Sequence, residues 1–417
     1  MDNGASADER KRRERVGRPE DFLDIDALLT DEERAGRDRV RSFVEARIAP
    51  EVEGWFEHGH FPRELIREFG TLGVLGMHLE GYGCPGRSAV EYGLACLELE
   101  AGDSGLRTIV SVQGSLAMTS IRHWGSEDQR NEWLPRMAAG EAIGCFGLTE
   151  AEGGSDPASM QTQARRDGGD WVMNGSKRWI GLASIADVAV VWARTDDGVR
   201  GFLVPADTRG FTTTDITNKL GMRASLQCEL LFEDCRLPAA AMLPEARGLR
   251  GPFTALNEAR YGITWGAMGA ARACFEAALE YAKERVVFGQ PIAGHQLTQR
   301  KLVDMLVELN KGMLLALHLG RMKDEGRLRP VQISVGKLNN VREAIAIARE
   351  ARTILGGNGI TSDFPVMRHM NNLEAVSTYE GTDEMHALIL GEAITGLPAF
   401  RQAAPIEPVA PVAVAGG

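Results

Sequence analysis

The spacing of apolar residues changes twice along this 417-residue chain, and those changes limit the folds that it can adopt. From about Leu28 to Ala142 apolar residues recur with the period of a helix. From about Ile143 to Leu237 they alternate between turn signals such as Asp167-Gly-Gly-Asp170 and Asn174-Gly175, which predicts a small antiparallel β-barrel or sandwich. From Gly251 the helical period returns in longer segments, which predicts a bundle of four helices.

These patterns predict a multidomain protein of the α+β class. We expect five segments: a disordered charged arm (1–25), an N-terminal α-helical domain (26–142), a middle β domain (143–240), a C-terminal helical bundle (241–400) and a disordered tail (401–417). The arm contains Arg10-Lys-Arg-Arg between acidic residues, and the tail contains Ala404-Pro-Ile-Glu-Pro. A chain of this length needs two or three packed units, which agrees with this division.

The composition excludes several classes of protein. With 44% apolar and 25% charged residues, the chain has the balance of a water-soluble globular protein, and we expect no membrane span. The net charge of −11 argues against nucleic acid as a partner. The six cysteines lack CxxC spacing, so we expect reduced, buried thiols in a cytoplasmic protein. We expect no metal, because His, Cys and carboxylate residues do not cluster with ligand spacing.

Glu380 is the candidate catalytic residue. It stands in Tyr379-Glu-Gly-Thr382, about twenty residues after the glycine-rich segment Leu355-Gly-Gly-Asn-Gly359. An aromatic ring before it and a glycine after it allow a carboxylate that is desolvated yet reachable, and desolvation raises a carboxyl pKa towards that of a general base. The structural alternative is a helix start, with Thr382 as its N-cap and acidic residues in its first turn. That alternative gives Glu380 no role.

Further motifs occur in a fixed order: Phe146-Gly-Leu-Thr-Glu150, Gly154-Ser-Asp156, Trp179-Ile180, Arg285-Val-Val-Phe-Gly289 and Gln296. Together with the two segments near Glu380, they make the chain from about residue 28 to residue 400 resemble the acyl-CoA dehydrogenase family. The resemblance implies FAD as cofactor and an acyl-CoA thioester as substrate. It also implies an electron-transfer flavoprotein or similar acceptor as partner and a homotetramer as assembly.

The resemblance implies a set of residues that contact FAD: Phe146, Leu148, Thr149, Gly154, Ser155, Trp179, Ile180, Arg285, Phe288, Gln296, Gly356, Gly357 and Thr382. Amides and a hydroxyl near Thr149 suit the electron-rich edge of a flavin, and a guanidinium suits a diphosphate. In the family, the positions of Arg285 and Gln296 serve a flavin held mainly by a neighbouring subunit. The structural alternatives are an ordinary strand end, a core tryptophan, a helix-capping arginine and a glycine C-cap.

The segment Glu98-Leu-Glu-Ala-Gly-Asp-Ser-Gly-Leu-Arg-Thr108 resembles that of the glutaryl-CoA dehydrogenases within this family. Arg107 would face the far end of the acyl chain, where an unpaired cation is costly unless the substrate carries a carboxylate. The implied substrate contacts are Arg107, Thr108, Glu100, Ser155, Asn257, Arg260, Tyr261, Tyr379, Gly381 and Phe400. Ser155 could instead belong to a solvated Asx turn, and Arg107 could be a structural residue paired with Glu100 or Asp103.

The implied reaction is the FAD-dependent dehydrogenation of glutaryl-CoA with decarboxylation to crotonyl-CoA and CO₂, as in lysine degradation. Glu380 would serve first as base and then as acid. Two alternatives stay open: dehydrogenation of another short-chain or dicarboxylic acyl-CoA without decarboxylation, and a non-catalytic flavin- or acyl-CoA-binding protein. The sequence departs from the family at Thr108, where serine is usual, at Gly181, where a hydroxyl is usual, and after Glu150, where proline is usual.

Overall fold

Helices formed by the first apolar segment enclose one side of a β-sheet in the computed structural model, which describes residues 19–399. Phe400, the predicted tail and most of the predicted arm lie outside these described residues. The helices are α1 Asp31–Phe43, α2 Val52–His58, α3 Leu65–Leu72, α4 Ala89–Gly102, α5 Ser104–Val110, α6 Thr119–Trp124 and α7 Glu127–Ala138. Capping boxes at Thr30–Glu33, Ser88–Glu91 and Ser126–Gln129 begin three of them. A π-helical segment, Ser111–Met118, joins α5 to α6.

The middle of the chain forms a seven-stranded curled sheet. Its strands are β1 Gly144–Gly147, β2 Gln163–Asp167, β3 Asp170–Gly181, β4 Val188–Thr195, β5 Gly198–Pro205, β6 Phe211–Asp215 and β7 Gln227–Leu237. The order is β1-β4-β2-β3-β7-β6, and β5 pairs with β4. Most pairs are antiparallel as predicted, but β1 and β2 run parallel to β4. Parallel pairing needs a long crossover, which a sequence period of two does not reveal.

The structure confirms one of the two turns that were predicted within the β-sheet. Asp167-Gly-Gly-Asp170 joins β2 to β3, with Gly168 at φ 60°. Asn174-Gly175 instead forms a β-bulge inside β3, where the register against β7 shifts. The Asn174 amide pairs with both the backbone N–H and the carboxylate of Asp234 on β7. The side chain therefore holds the bulge to the neighbouring strand, so the predicted turn is wrong.

The last region contains five helices: α8 Arg250–Glu284, α9 Gln296–Asp324, α10 Pro330–Leu355, α11 Val366–Thr378 and α12 Asp383–Thr395. The predicted class of a helical bundle is confirmed, but α11 was not predicted, because half of its buried residues are polar: Arg368, His369 and Asn372. The 35-residue α8 is central and packs on α4 and α10. At Gly269, an added Cβ would stand 1.9 Å from the Leu97 carbonyl oxygen, so only glycine permits this approach of α8 to α4.

All six cysteines are buried and unpaired, as predicted. Within residues 19–399, no helix has both the length and the apolar character that crossing a membrane requires.

A buried carboxylate joins three helices. Glu98 on α4 accepts hydrogen bonds from Arg41 on α1, at 2.9 and 3.1 Å, and from Arg272 on α8, at 2.6 and 2.8 Å. Burial by itself would raise the pKa of Glu98, but the two guanidinium groups outweigh burial and lower the pKa to about 2. Glu98 is therefore ionised and binds both arginines at neutral pH.

We expect Glu98→Gln to lower the free energy of unfolding by about 3–5 kcal/mol at pH 7, because two partly buried guanidinium groups lose their buried counter-charge. Chemical denaturation would measure the change. Glu276→Gln is the matched control: Glu276 also pairs with Arg272, but nearly half of its side chain is exposed, so the loss should stay below about 1 kcal/mol. Equal losses in the two variants would contradict this account.

Candidate active site

Glu380 lies in the short connection between α11 and α12. Tyr379 ends α11, and the Thr382 hydroxyl accepts the Met385 N–H at 3.2 Å to begin α12. The predicted N-cap is thus present beside the candidate base. Glu380 itself has φ 55°, a left-handed conformation that costs a non-glycine residue about 1–3 kcal/mol. Surrounding contacts must hold the backbone in this state.

The Glu380 carboxyl group is desolvated but not fully paired. Its Oε2 atom is buried and has no hydrogen-bond partner among residues 19–399. Burial raises the pKa of Glu380, while the charges of Arg107, Lys337 and Arg260 oppose that rise. A carboxyl group with a raised pKa and a free oxygen has the properties of a general base.

Arg107 and Glu100 form a fully buried ion pair next to Tyr379. The Arg107 Nε atom donates to Glu100 Oε2 at 2.7 Å, and its Nη2 atom donates to the Tyr379 hydroxyl. The Thr108 hydroxyl lies 3.3 Å from the same oxygen. Arg107 Nη1 and Glu100 Oε1 find no partner in the described part of the chain. The pair is therefore structural in part, yet it keeps a donor for a further anion.

Asp103 is not the partner of Arg107; it holds the corner between α4 and α5. Its Oδ1 atom accepts the Gly105 N–H, and its Oδ2 atom accepts hydrogen bonds from Arg368 and Asn372 on α11, each at 2.7 Å. The side-chain Oδ1 atom of Asn372 accepts the Met222 N–H at 2.7 Å. The corner that carries Glu100 and Arg107 is thus fixed by all three regions of the fold. Sequence reasoning missed Arg368 and the role of Asp103.

Cations hold the other side of the Glu380 loop. Arg260 on α8 donates from Nε to the Glu380 carbonyl oxygen at 2.8 Å, and the Asn257 side chain lies 3.4 Å from Arg260 Nη1. Lys337 on α10 donates to the carbonyl oxygens of Tyr379, at 2.6 Å, and Gly381. Sequence reasoning missed Lys337, although a lysine on the buried face of a helix is a visible signal.

His386 packs under the same loop. Its Nδ1 atom lies 3.0 Å from the Ser334 hydroxyl, and an added Cβ at Gly381 would meet its Nε2 atom at 2.9 Å. Burial, together with the nearby charges of Lys337 and Arg260, lowers the pKa of His386 to about 3. The imidazole is therefore neutral, and it makes glycine necessary at position 381, where φ is 94°.

The predicted flavin contacts of the sheet lie where β1 ends and β3 ends. Phe146, Leu148 and Ile180 are buried beneath this edge. The Thr149 carbonyl oxygen accepts the Arg178 N–H at 2.9 Å, which brings Thr149 beside Trp179. Trp179 is 52% exposed and has φ 65°, so a strained backbone holds its indole ring outward. Gly154 and Ser155 occupy an exposed loop next to this edge.

This edge of the sheet faces the helix that carries Arg107. An added Cβ at Gly181 would stand 3.0 Å from Val112 Cγ2, one turn and a half beyond Arg107. The hydroxyl-bearing residue usual at this position in the family would therefore crowd Val112. Packing against Val112 therefore explains why glycine replaces the family's usual residue at position 181.

A second group of predicted flavin contacts lies at the opposite end of α8. Arg285, Phe288 and Gln296 are exposed. Gly356 and Gly357 are exposed as well, and the Asn358 amide donates to the Tyr281 hydroxyl at 3.2 Å, which brings their loop to the same end. Arg285 stands about 37 Å along α8 from Arg260 at the usual rise per residue. Within one chain, Arg285 therefore does not lie near Glu380.

The two groups of predicted flavin contacts offer side chains that suit different parts of FAD. The Arg285 guanidinium has no partner within residues 19–399, and Phe288 is 94% exposed at φ 53°. An unpaired guanidinium and flexible glycines suit a diphosphate, and the outward indole of Trp179 suits the face of an aromatic ring system. The donor types present therefore fit the cofactor.

Tyr261, a predicted substrate contact, lies in neither of the two groups of predicted flavin contacts. It is fully buried; its hydroxyl donates to the Ala89 carbonyl oxygen at 2.7 Å and accepts the Trp265 indole N–H at 3.0 Å. The structure supports a packing role between α8 and α4 instead of the predicted substrate contact. Phe400, also predicted to contact substrate, is outside the described residues.

The chain matches three family profiles in succession: the acyl-CoA dehydrogenase N-terminal domain over residues 30–141, the middle domain over 145–235 and the C-terminal domain over 246–395. It belongs to the acyl-CoA dehydrogenase family. The predicted helix–sheet–helix architecture and the resemblance are thereby confirmed. The family is FAD-dependent, so the predicted cofactor is also confirmed.

Individual relatives refine this assignment. A glutaryl-CoA dehydrogenase from Mycobacterium smegmatis, solved in complex with FADH₂, is 62% identical, with a TM-score of 0.91 over 92% of this chain and 99% of that one. Butyryl-CoA dehydrogenase from Megasphaera elsdenii is 32% identical, with a TM-score of 0.84 over 88% and 98%. The human mitochondrial short-chain specific acyl-CoA dehydrogenase is 35% identical over 84% of this chain and 87% of its own length. The protein is an acyl-CoA dehydrogenase.

We expect Gly266→Ala to disrupt the buried ion pair, because an added Cβ would stand 1.9 Å from Glu100 Oε2 and 3.3 Å from Arg107 Nε. Overpacking of this kind lowers the free energy of unfolding by about 1–3 kcal/mol. Chemical denaturation would measure the loss. Gly54→Ala in α2 is the control: nothing lies within 4 Å of its Cβ position, so stability should rise by up to about 1 kcal/mol.

Proposed function

We propose that this protein is a glutaryl-CoA dehydrogenase that oxidises and decarboxylates its substrate to crotonyl-CoA and CO₂. The observation that carries the proposal is the fully buried Arg107, whose Nη1 atom has no partner among residues 19–399 and which contacts Tyr379 beside Glu380. The 62% identity to the Mycobacterium smegmatis glutaryl-CoA dehydrogenase supports it.

A distal carboxylate on the substrate completes the Arg107 site. A fully buried guanidinium that keeps an open donor is costly, and an anion placed there removes the cost. Glu100 already neutralises part of the charge, and burial raises the pKa of Glu100 although Arg107 opposes that rise. The hydroxyls of Thr108 and Tyr379 would line the same end of the acyl chain and hold its carboxylate in one orientation.

Glu380 would remove the α-proton of the thioester. The electron pair of the broken C–H bond moves towards the thioester oxygen, where the Glu380 N–H is available as a donor. When bound, FAD supplies the acceptor for the hydride that leaves the β-carbon. The raised pKa of Glu380 suits a base that must take this proton and later give it back.

Decarboxylation would follow at the Arg107 end of the same substrate. In the unsaturated thioester, the bond from the γ-carbon to the carboxylate breaks, CO₂ leaves and its electron pair forms a dienolate. The protonated Glu380 returns its proton to the γ-carbon and yields crotonyl-CoA. Glu380 thus ends the cycle in the ionised state in which it began.

We further propose an electron-transfer flavoprotein or similar acceptor and a homotetramer. The roughly 37 Å between Arg260 and Arg285 along α8 favours an arrangement in which the Arg285 group of one subunit binds the FAD that lies beside a neighbour's Trp179. We keep the domain division at residues 26–142, 143–240 and 241–400 as part of this proposal.

A second candidate is dehydrogenation of a different dicarboxylic or short-chain acyl-CoA without decarboxylation. Thr108 favours it, because it adds a methyl group next to the Tyr379 hydroxyl, where the glutaryl-specific relatives have serine. The two candidates differ in product. Anaerobic addition of glutaryl-CoA to the flavoprotein should bleach the flavin and yield crotonyl-CoA; glutaconyl-CoA as the final product would favour the second candidate.

We expect Arg107→Met to raise KM for glutaryl-CoA by two orders of magnitude or more, because the substrate carboxylate loses its buried partner. Butyryl-CoA should be oxidised as well as or better than by the wild type. The Arg107→Met/Glu100→Gln double variant removes the carboxyl group that the single change leaves unpaired, and it should show the same shift in preference. Unchanged KM for glutaryl-CoA in both variants would refute the carboxylate site.

We expect Glu380→Gln to retain FAD and bind glutaryl-CoA but to lose reduction of the flavin by about 10⁴-fold or more, because no base remains. Anaerobic stopped-flow spectroscopy would measure the rate. In the wild type, kcat/KM should fall in acid with a pKa above 4.5, the ordinary value for a glutamate. Bleaching of the variant at the wild-type rate would show that Glu380 is not the base.

A further inference from the structure

Three successive backbone carbonyls around Glu380 are held by a buried lysine and a half-buried arginine. Lys337 donates to the Tyr379 and Gly381 carbonyl oxygens, and Arg260 donates to the Glu380 carbonyl oxygen. Lys337 is 2% exposed, on the face of α10 that packs against this loop. A lysine in such a position is unusual, because burial of an ammonium group is costly unless nearby groups accept its protons.

These contacts determine where the amide N–H groups of the loop point. In a trans peptide the C=O and the following N–H point in opposite directions. Because Lys337 draws the Tyr379 carbonyl towards α10, the Glu380 N–H is directed away from α10. That N–H has no acceptor among residues 19–399. It is therefore free to donate to a ligand.

The same contacts account for the strained backbone. Glu380 has φ 55°, which an isolated glutamate avoids. Lys337 bridges the carbonyls on both sides of Glu380, so relaxing φ would break at least one of its two hydrogen bonds. Arg260 holds the carbonyl between them from α8.

We propose that Lys337 is a positioning residue that holds the Glu380 N–H as the donor to the thioester oxygen and keeps the Glu380 carboxylate over the α-carbon. The proposal rests on the proposed acyl-CoA chemistry but not on glutaryl-CoA as the substrate. Lys337 touches no reacting atom; it acts through the Tyr379 and Gly381 carbonyl oxygens.

Electrostatics gives Lys337 a second effect on the same step. Burial lowers the pKa of Lys337 to about 7; Glu380 opposes the shift, and Arg260 and Arg107 add to it. A neutral amine still donates two hydrogen bonds, so the contacts with both carbonyls persist above pH 7. The charged form lowers the pKa of Glu380, so removing Lys337 should raise that pKa.

The experiment compares the wild-type holoenzyme with Lys337→Met, a neutral side chain of similar length, and Gln129→Met. Gln129 is the control, because its buried side chain also donates to two backbone carbonyl oxygens, those of Ala240 and Met242, away from Glu380. The probe is acetoacetyl-CoA, a β-keto thioester that loses its α-proton to form an enolate. It lacks a distal carboxylate, so its binding does not depend on Arg107.

The pH midpoint of enolate formation by bound acetoacetyl-CoA would be read from its near-ultraviolet absorbance. We expect Lys337→Met to raise that midpoint by about one pH unit or more and to lower kcat roughly tenfold or more, part of the 10²–10³-fold effect of losing an oxyanion donor. KM should change little, and the acid limb of the kcat/KM profile should move to higher pH. Gln129→Met should match the wild type in each measurement.

FAD content and thermal unfolding would identify variants that fail to fold. Lys337→Gln, which keeps an uncharged NH₂ donor group on a shorter side chain, then replaces Lys337→Met and should show a smaller shift in the same direction. An unchanged midpoint and kcat in a folded Lys337 variant, or equal shifts in Gln129→Met, would overturn the proposal. A wild type that forms the enolate but ignores glutaryl-CoA would refute only the substrate. A wild type that forms no enolate would refute both proposals.

Discussion

The rest of the site depends on the balance between burial of the Glu380 carboxyl group and the cations placed around it. Burial raises the pKa of this group. The charges of Arg107, Lys337 and Arg260 oppose that rise and so favour the ionised carboxylate. Those cations come from α5, α10 and α8. Each also makes hydrogen bonds that shape the loop or its neighbours, so charge and geometry are set by the same three side chains.

The three regions of the fold are coupled at the α4–α5 corner. Asp103 at that corner binds Arg368 and Asn372 from α11, and Asn372 in turn binds the backbone of Met222 next to the sheet. The corner carries the Arg107–Glu100 pair at one end of the site, and α11 carries Glu380 at its own end. Because both elements share Asp103, a shift of one would be transmitted to the other.

Several features that depend on a single helix, strand or turn were predicted correctly from the sequence. The helix–sheet–helix order, the turn at Asp167–Asp170 and the N-cap at Thr382 follow from periodicity and side-chain chemistry within a few residues. The bulge at Asn174-Gly175 and the parallel pairing of β1 with β4 were not predicted, because both depend on a partner strand. Helix α11 was missed because half of its buried residues are polar, and one of them, Arg368, pairs with the distant acids Glu53 and Asp103.

By itself the sequence determined which chemical groups are present and in what order: a glutamate before a glycine, an arginine in an apolar segment, an arginine after a long helical segment. Only the tertiary structure decided which groups meet. Arg107 reaches the Tyr379 hydroxyl across 272 positions, whereas Arg285 ends about 37 Å from Arg260 along one helix. The physical reason is that contacts between elements depend on packing and burial, and neither has a local signature in the chain.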